Sequence, residues 1–197
     1  MFFGIRKFFI PFLLFLIISF IYLHNLSRSV YGGDVGDFVT SAIVMGVPHP
    51  SGYPLITFLG FLLTRIHFST PAFMVGLISV FSASFAVVLF YFFSLKLTKS
   101  RLISLISALT LAFNYFFWFY AEIAEVFALN NFFIILLTLL AYLYFKYKKN
   151  KYFYLLAFFT GLSLTNNYII SFIFPSLLIL ILNNYKELFR KPKTIFI

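Results

Sequence analysis

The sequence predicts an all-α fold, a polytopic transmembrane helix bundle of about six spans, and three observations lead there. Hydrophobic residues fill 62% of the 197 positions and charged residues only 10%, where soluble domains carry about 25% charged residues. Mean hydropathy is +1.02. The basic residues fall in short clusters between long uncharged runs, an arrangement that sets helix orientation in a bilayer and argues against nucleic acid as a partner. The apolar runs leave no room for a separate soluble domain, so the chain reads as one transmembrane domain over 1–197. Cysteine is absent, which excludes disulfides and thiolate chemistry.

The first span is expected from Phe8 to about His24, with Arg6 and Lys7 reaching the cytoplasmic headgroups and Pro11 tolerated in the first turn. Its uncharged run is longer than the ~7–15 residues of a signal h-region and no small-x-small site follows cleanly, so it reads as an uncleaved anchor. An outer loop over 25–70 comes next. Its apolar part, Phe38 to Thr64, holds Pro48, Pro50 and Pro54, each of which removes an amide donor and pushes the residue before it out of the helical region. That predicts a short helix over Asp37 to Met45, a stiff turn, and a second helix from Pro54 to His67. The second helix reaches only about 21 Å against a hydrocarbon core of ~30 Å, so it lies in the interface or re-enters, unless it is a short tilted span.

Further spans are expected from Pro71 to Leu95, from Arg101 to Trp118 after the basic turn of Lys96, Lys99 and Arg101, and from Val126 to Phe145. The basic stretch Lys146 to Lys151 follows. The run Tyr152 to Tyr185 crosses once with a long tail, or twice with a junction at Gly161 to Asn167. Placing Arg6 and Lys7 inside puts both middle clusters inside, and Lys186, Arg190, Lys191 and Lys193 join them only if that run crosses twice. Of fifteen basic residues, Arg28 and Arg65 then remain outside. The same orientation puts Asp34, Asp37, Glu122 and Glu125 outside, four of the five acidic residues of the chain.

Ionisable groups are costly in a lipid-embedded chain and mark functional sites. Asp34 and Asp37 stand where a helix begins, behind Gly32 and Gly33, so one of them can cap it while the other sits in its first turn. Capping accounts for one exposed Asp. A carboxylate at an aqueous mouth can equally accept a proton from a hydroxyl nucleophile or bind a cation. Glu122 and Glu125, three apart, share a face if helical and lie beside Trp118 and Tyr120, which suit the interface; the alternative is a plain solvated turn. Asn130, one turn further in, suits interhelical hydrogen bonding or ligand contact. His49, held between Pro48 and Pro50, offers a restrained imidazole for a phosphate or a proton. Arg65 and Arg28 offer positive charge for a leaving phosphate, or simply snorkel. No Gly-rich nucleotide loop, HExxH, GxSxG or CxxC occurs, so soluble nucleotide chemistry has no support.

The wording GGDVGDFVTSAIVMGVPHPSGYPL, then WFYAEIAEVFALNN, then GLSLTNNY resembles the amino-terminal region of polytopic GT-C-type glycosyltransferases related to the membrane protein O-mannosyltransferases. Typical family wording is GGDSGEF, GVPHPPGYP, AEVYALN and GLSLTNHH, and the three motifs stand here in order over Tyr31 to Tyr168. The resemblance implies a sugar passed from a polyprenyl-phosphate carrier to an acceptor on the outer or luminal face, with mannose favoured. It implies Asp34 as general base with Asp37 beside it, and it matches Glu122 and Glu125 to the second acidic motif and His49 to the HP turn; these three, with Arg65, Asn130 and Asn166 from the residue reading, are the substrate-binding candidates. Two departures stand out: Asp37 replaces a frequent Glu, and Asn167 and Tyr168 replace a His pair. Family members are also much longer, so the chain reads as an N-terminal module or a shortened product.

The sequence thus points to a membrane glycosyltransferase with no cofactor beyond its polyprenyl-phosphate sugar donor, divalent metal dependence left open. Its partners are membrane lipid, that donor, and a protein or glycan acceptor. The expected location is a plasma or inner membrane in a bacterium or archaeon and the endoplasmic reticulum membrane in a eukaryote. Two rival classes are a transporter or flippase using the carboxylates for cation or proton coupling, and an inactive partner subunit. Transporters place such groups near the midplane on broken helices, whereas these map to helix ends.

Overall fold

The computed structural model describes residues 5–182, and every regular element among them is helical. The molecule is an all-α membrane helix bundle arranged around α4 (Pro71–Thr98). Pro71 suits the first helical position, and Thr70 caps the helix by accepting from the Phe73 amide at 3.3 Å. Lys99 stops it in the left-handed region, its amide bonding the Leu95 carbonyl at 3.1 Å. Buried Ser79, Ala83, Ser84 and Ala86 keep α4 slim, so neighbouring helices pack close to it, as small residues allow in bilayers.

On one flank, α1 (Ile5–Asn25) lays Leu14, Ile18 and Tyr22 against Val80, Ala83 and Val87 of α4 and Ala108 and Ala112 of α5 (Arg101–Ala112). Tyr22 donates its hydroxyl to the Ala112 carbonyl at 2.7 Å, satisfying a group that burial would otherwise leave unpaired. On the other flank lie α2 (Val35–Val44), α3 (Pro54–Thr64), α7 (Val126–Tyr147) and α8 (Asn150–Leu164), which share a second apolar cluster with α4.

The span expected to reach about Trp118 is bent within its length. It breaks at Asn114, whose side chain accepts from the Phe117 amide at 3.4 Å and so caps a new helix, α6 (Tyr115–Ala121), set at 66° to α5. The described part of the run Tyr152 to Tyr185 reverses at 165–167. α8 climbs beside α7, a 3-10 helix follows (Tyr168–Ile173), and α9 (Phe174–Leu182) brings Leu177 back beside Ala141 and Phe145 of α7. The basic group Lys186, Arg190, Lys191 and Lys193 lies outside the described residues. Among those described, three helices are long and apolar enough to cross a membrane, and the bent α5–α6 pair makes a possible fourth. The count of six also needs α8 and α9, of 15 and 9 residues.

The outer-loop helices α2 and α3 hold 10 and 11 residues, about 15 and 17 Å, too short to cross. α3 starts at Pro54 as expected, while the other bounds differ. α2 starts two residues early because Asp34 takes its N-cap position, and α3 stops at Thr64 rather than His67. They lie side by side in the same direction, with Phe38 against Tyr53 and Ala42 against Gly60. A Cβ on Gly60 would come within 2.8 Å of the Ala42 Cβ, so this approach requires glycine.

Candidate active site

The site forms where the start of α2 meets the returning proline turn. Met45, left-handed at φ 55°, ends α2, and Gly52 at φ 89° completes a loop that carries His49 back to the first turn of the same helix. There Asp37 Oδ2 accepts from the His49 amide at 2.7 Å and contacts its ring Nδ1 at 2.6 Å. One carboxylate oxygen therefore pins both backbone and ring of a residue twelve positions on. These bonds, the amide first, hold the Asp37 carboxyl below the usual carboxylate range. A carbonyl or carboxylate oxygen only accepts, so Nδ1 carries the proton toward Asp37 and Nε2 faces the other way. Nε2 lies 3.7 Å from Asp34 Oδ2.

Asp34 is the exposed member, its side chain 65% accessible. It occupies the N-cap of α2 but makes no side-chain capping bond. Gly33 before it is left-handed at φ 77°, and Glu125 Oε1 lies 4.0 Å from the place of its missing Cβ. Glu125 thus sits behind the acidic loop. It is 6% exposed, and its backbone is held by Ser79, which donates to the Glu125 carbonyl at 3.2 Å and accepts from its amide at 3.4 Å. Burial pushes the Glu125 carboxyl up to about 7, against the Val126 amide that donates to it. The negative charge of Asp34 adds to the rise and His49 opposes it.

Glu122 does not join this group. Residues 122–125 are not helical: Glu122 ends α6 and Glu125 caps α7, so the shared face expected from their spacing is lost. The Glu122 side chain accepts from Trp118 Nε1, and its carbonyl accepts from the Ser27 amide at 3.0 Å, which ties the end of α1 to this break. Burial raises its carboxyl, against hydrogen bonds from Trp118 and Asn25. Asn166, fully buried, donates to the Val126 carbonyl at 3.2 Å and joins the end of α8 to the start of α7 behind Glu125. Asn130 is buried one turn further along α7. Arg65 stands at the far end of α3, bonding the Ile43 carbonyl at 3.1 Å and stacking on Phe61. It is about 15 Å, the length of α2, from Asp34.

The site is therefore an exposed carboxylate beside a pinned imidazole, backed by a buried carboxyl at the boundary of a membrane helix. The profile of the Protein O-mannosyl-transferase TMEM260 N-terminal domain family matches residues 34–189, opening on Asp34 itself. The chain belongs to this family. Protein O-mannosyl-transferase TMEM260 of Mus musculus is 35% identical over 124 residues, 62% of this chain and 18% of the mouse protein. The protein of that name in Dictyostelium discoideum is 34% identical over 135 residues, 67% of this chain and 16% of its own length. The chain thus spans less than a fifth of the relatives it matches, and no solved structure matches it.

Membership in the TMEM260 N-terminal domain family bears out the resemblance read from the three motifs. What those motifs did not disclose is the aromatic setting of His49, whose ring lies 5.4 Å from Phe38 and 5.1 Å from Tyr53. Tyr53 is 8% exposed and left-handed at φ 40°, a strained backbone of the kind that gathers at functional sites. The signal was present: an aromatic residue directly before Pro54 in the turn that carries His49.

The Asp37 clasp makes a prediction for this family member. Asp37→Ala removes the acceptor for both His49 donors, and unfolding free energy should fall by about 1–2 kcal/mol at neutral pH. Asp37→Asn keeps one acceptor oxygen and should lose about half as much. Because the folded carboxyl lies below its ordinary range, its contribution is present above that range and disappears as pH falls through the lowered value. Thermal unfolding of both variants at neutral and acid pH checks the order and the sign.

Proposed function

We propose that this multi-pass membrane protein acts as the catalytic-loop module of a glycosyltransferase that moves a sugar from a polyprenyl-phosphate carrier to an acceptor hydroxyl on the outer or luminal face. The names of its relatives favour mannose as the sugar and a protein as the acceptor. The observation that carries the reading is Asp34: an exposed carboxylate at a helix start, unused as a cap and directed toward a fixed imidazole.

The reaction follows from that arrangement. Asp34 takes the proton of the acceptor hydroxyl as its oxygen attacks the anomeric carbon, and the bond from that carbon to the phosphate oxygen breaks. The phosphate leaves toward His49 Nε2, the cation-forming group beside Asp34, while Asp37 keeps the ring oriented from behind. Glu125, with Asn130 and Asn166 behind it, forms the buried wall against which the acidic loop rests and bounds the sugar site. Arg65 lies at the other end of α2 and is not the partner of this phosphate. The scheme uses no resident cofactor.

The test is transfer itself. Full-length protein in detergent or nanodiscs is incubated with labelled polyprenyl-phosphate mannose and a protein acceptor, and label should appear on acceptor hydroxyls. Cation- or proton-driven movement of lipid-linked sugar across vesicles, with no label transferred, would replace this reading with the transporter.

A further inference from the structure

A second site stands at the opposite end of α2 and α3 from the carboxylates. A cavity of about 230 Å³ opens there, lined by Ile43, Thr64, Arg65, His67, Ser69 and Pro71. The Arg65 guanidinium is fixed before any ligand arrives, with Nη2 on the Ile43 carbonyl at 3.1 Å and its charge 4.4 Å from the Phe61 ring centroid. His67 Nδ1 meets the Arg65 carbonyl at 2.6 Å, so that nitrogen donates and Nε2 is left for another partner. None of Asp34, Asp37, Glu122 and Glu125 lines the cavity, so its field is positive.

Its surroundings are apolar and exposed: Ile66 is 63% accessible, Phe68 80% and Val44 66%. In a membrane bundle, such side chains contact lipid, and a cation set among them lies at the depth of the lipid phosphates. Between α3 and α4 lies an apolar groove of about 380 Å³ with Leu59, Leu62, Leu63, Leu77, Phe81 and Phe85 on its walls, and Leu63 is the chain neighbour of Thr64 in the cavity. A cationic cavity at the end of α3 and an apolar groove along the same helix together offer the two-part chemistry of a phospholipid.

We propose that Arg65 and His67 grip the phosphate of an anionic phospholipid of the surrounding leaflet, and that one of its acyl chains lies in the groove between α3 and α4. Positive charge with no acidic group among the described lining residues selects anionic over zwitterionic headgroups. The distance from Asp34 assigns this cavity to bilayer lipid rather than to the sugar donor. The bound lipid would anchor the far ends of α2 and α3, and through α2 the loop that carries Asp34. The site stands whether or not the protein transfers sugar.

The test uses the full chain in phosphatidylcholine nanodiscs with and without phosphatidylglycerol, read by thermal unfolding and by native mass spectrometry of retained lipid. Phosphatidylglycerol should raise the melting temperature and stay bound, and Arg65→Gln should weaken its binding about tenfold, as loss of a charge-assisted contact does. Because Arg65 also ties α3 to α2, Ser69→Glu is the second variant: it leaves that tie intact, places negative charge in the cavity, and should abolish the preference for phosphatidylglycerol. Equal binding of both phospholipids, or a phosphatidylglycerol preference unchanged in both variants, overturns the proposal. So does displacement of phosphatidylglycerol by polyprenyl phosphate in an Arg65-dependent way, which would return the cavity to the donor.

Discussion

Replacing Asp34 by Asn in the full-length protein is expected to lower sugar transfer by about 10²–10⁴-fold while donor affinity and folding change little. Asn keeps the size and most of the hydrogen bonding of Asp but cannot accept a proton at neutral pH. Helix capping predicts the opposite, since Asn caps about as well as Asp and the change would be silent. The structure sharpens the contrast, because Asp34 makes no capping bond to lose. Its contact with His49, 3.7 Å long and exposed, is worth at most about 1 kcal/mol. A fall in turnover without a fall in stability therefore reads out proton transfer. Transfer near the wild-type rate would shift the role of base to Asp37, whose carboxylate is otherwise engaged with His49.

The second large effect belongs to Glu125. Its carboxyl is pushed up to about 7 from an ordinary 4.5, chiefly by burial, with Asp34 and His49 facing it across the loop. A folded value above the unfolded one means that the native state holds a proton which the unfolded chain releases. Its contribution is complete below about 4.5 and is lost as pH rises through about 7. Between pH 5 and pH 8 the protein should lose up to about 3 kcal/mol from this group. Glu125→Gln mimics the protonated acid, so the variant should show a flat profile over that range and exceed wild type in stability at pH 8. Denaturant unfolding at several pH values measures both. A wild-type profile as flat as that of Gln would mean that water reaches Glu125 freely.

These two residues also show what the sequence disclosed and what it withheld. α1, α4 and α7 were legible because each is a long uncharged run bounded by charge or proline, and lipid demands that pattern from any crossing helix. The prolines revealed the interrupted outer loop for the same reason in reverse. The break at Asn114 was hidden because an uncharged run looks alike whether straight or bent, and only the cap geometry of one Asn separates α5 from α6. Gathering the acidic residues on one side located Asp34, Asp37 and Glu125 near each other. It could not part Glu125 from Glu122, because their divergence depends on Ser79, 46 positions away, and on Trp118. Nor does any local pattern encode the clasp of Asp37 on His49, twelve positions on, for which the chain turns back after left-handed Met45.

The account requires the acidic cluster and the basic loops to lie on opposite sides of the bilayer. The chain has no cysteine, so single-cysteine labelling in sealed, oriented membranes measures this directly. Ser29→Cys, beside the acidic loop, should react with an impermeant maleimide added from the outer or luminal side. Lys148→Cys, in the basic loop between α7 and α8, should react only after the membrane is opened. Labelling of Lys148→Cys from outside, or of both positions from the same side, would contradict the account.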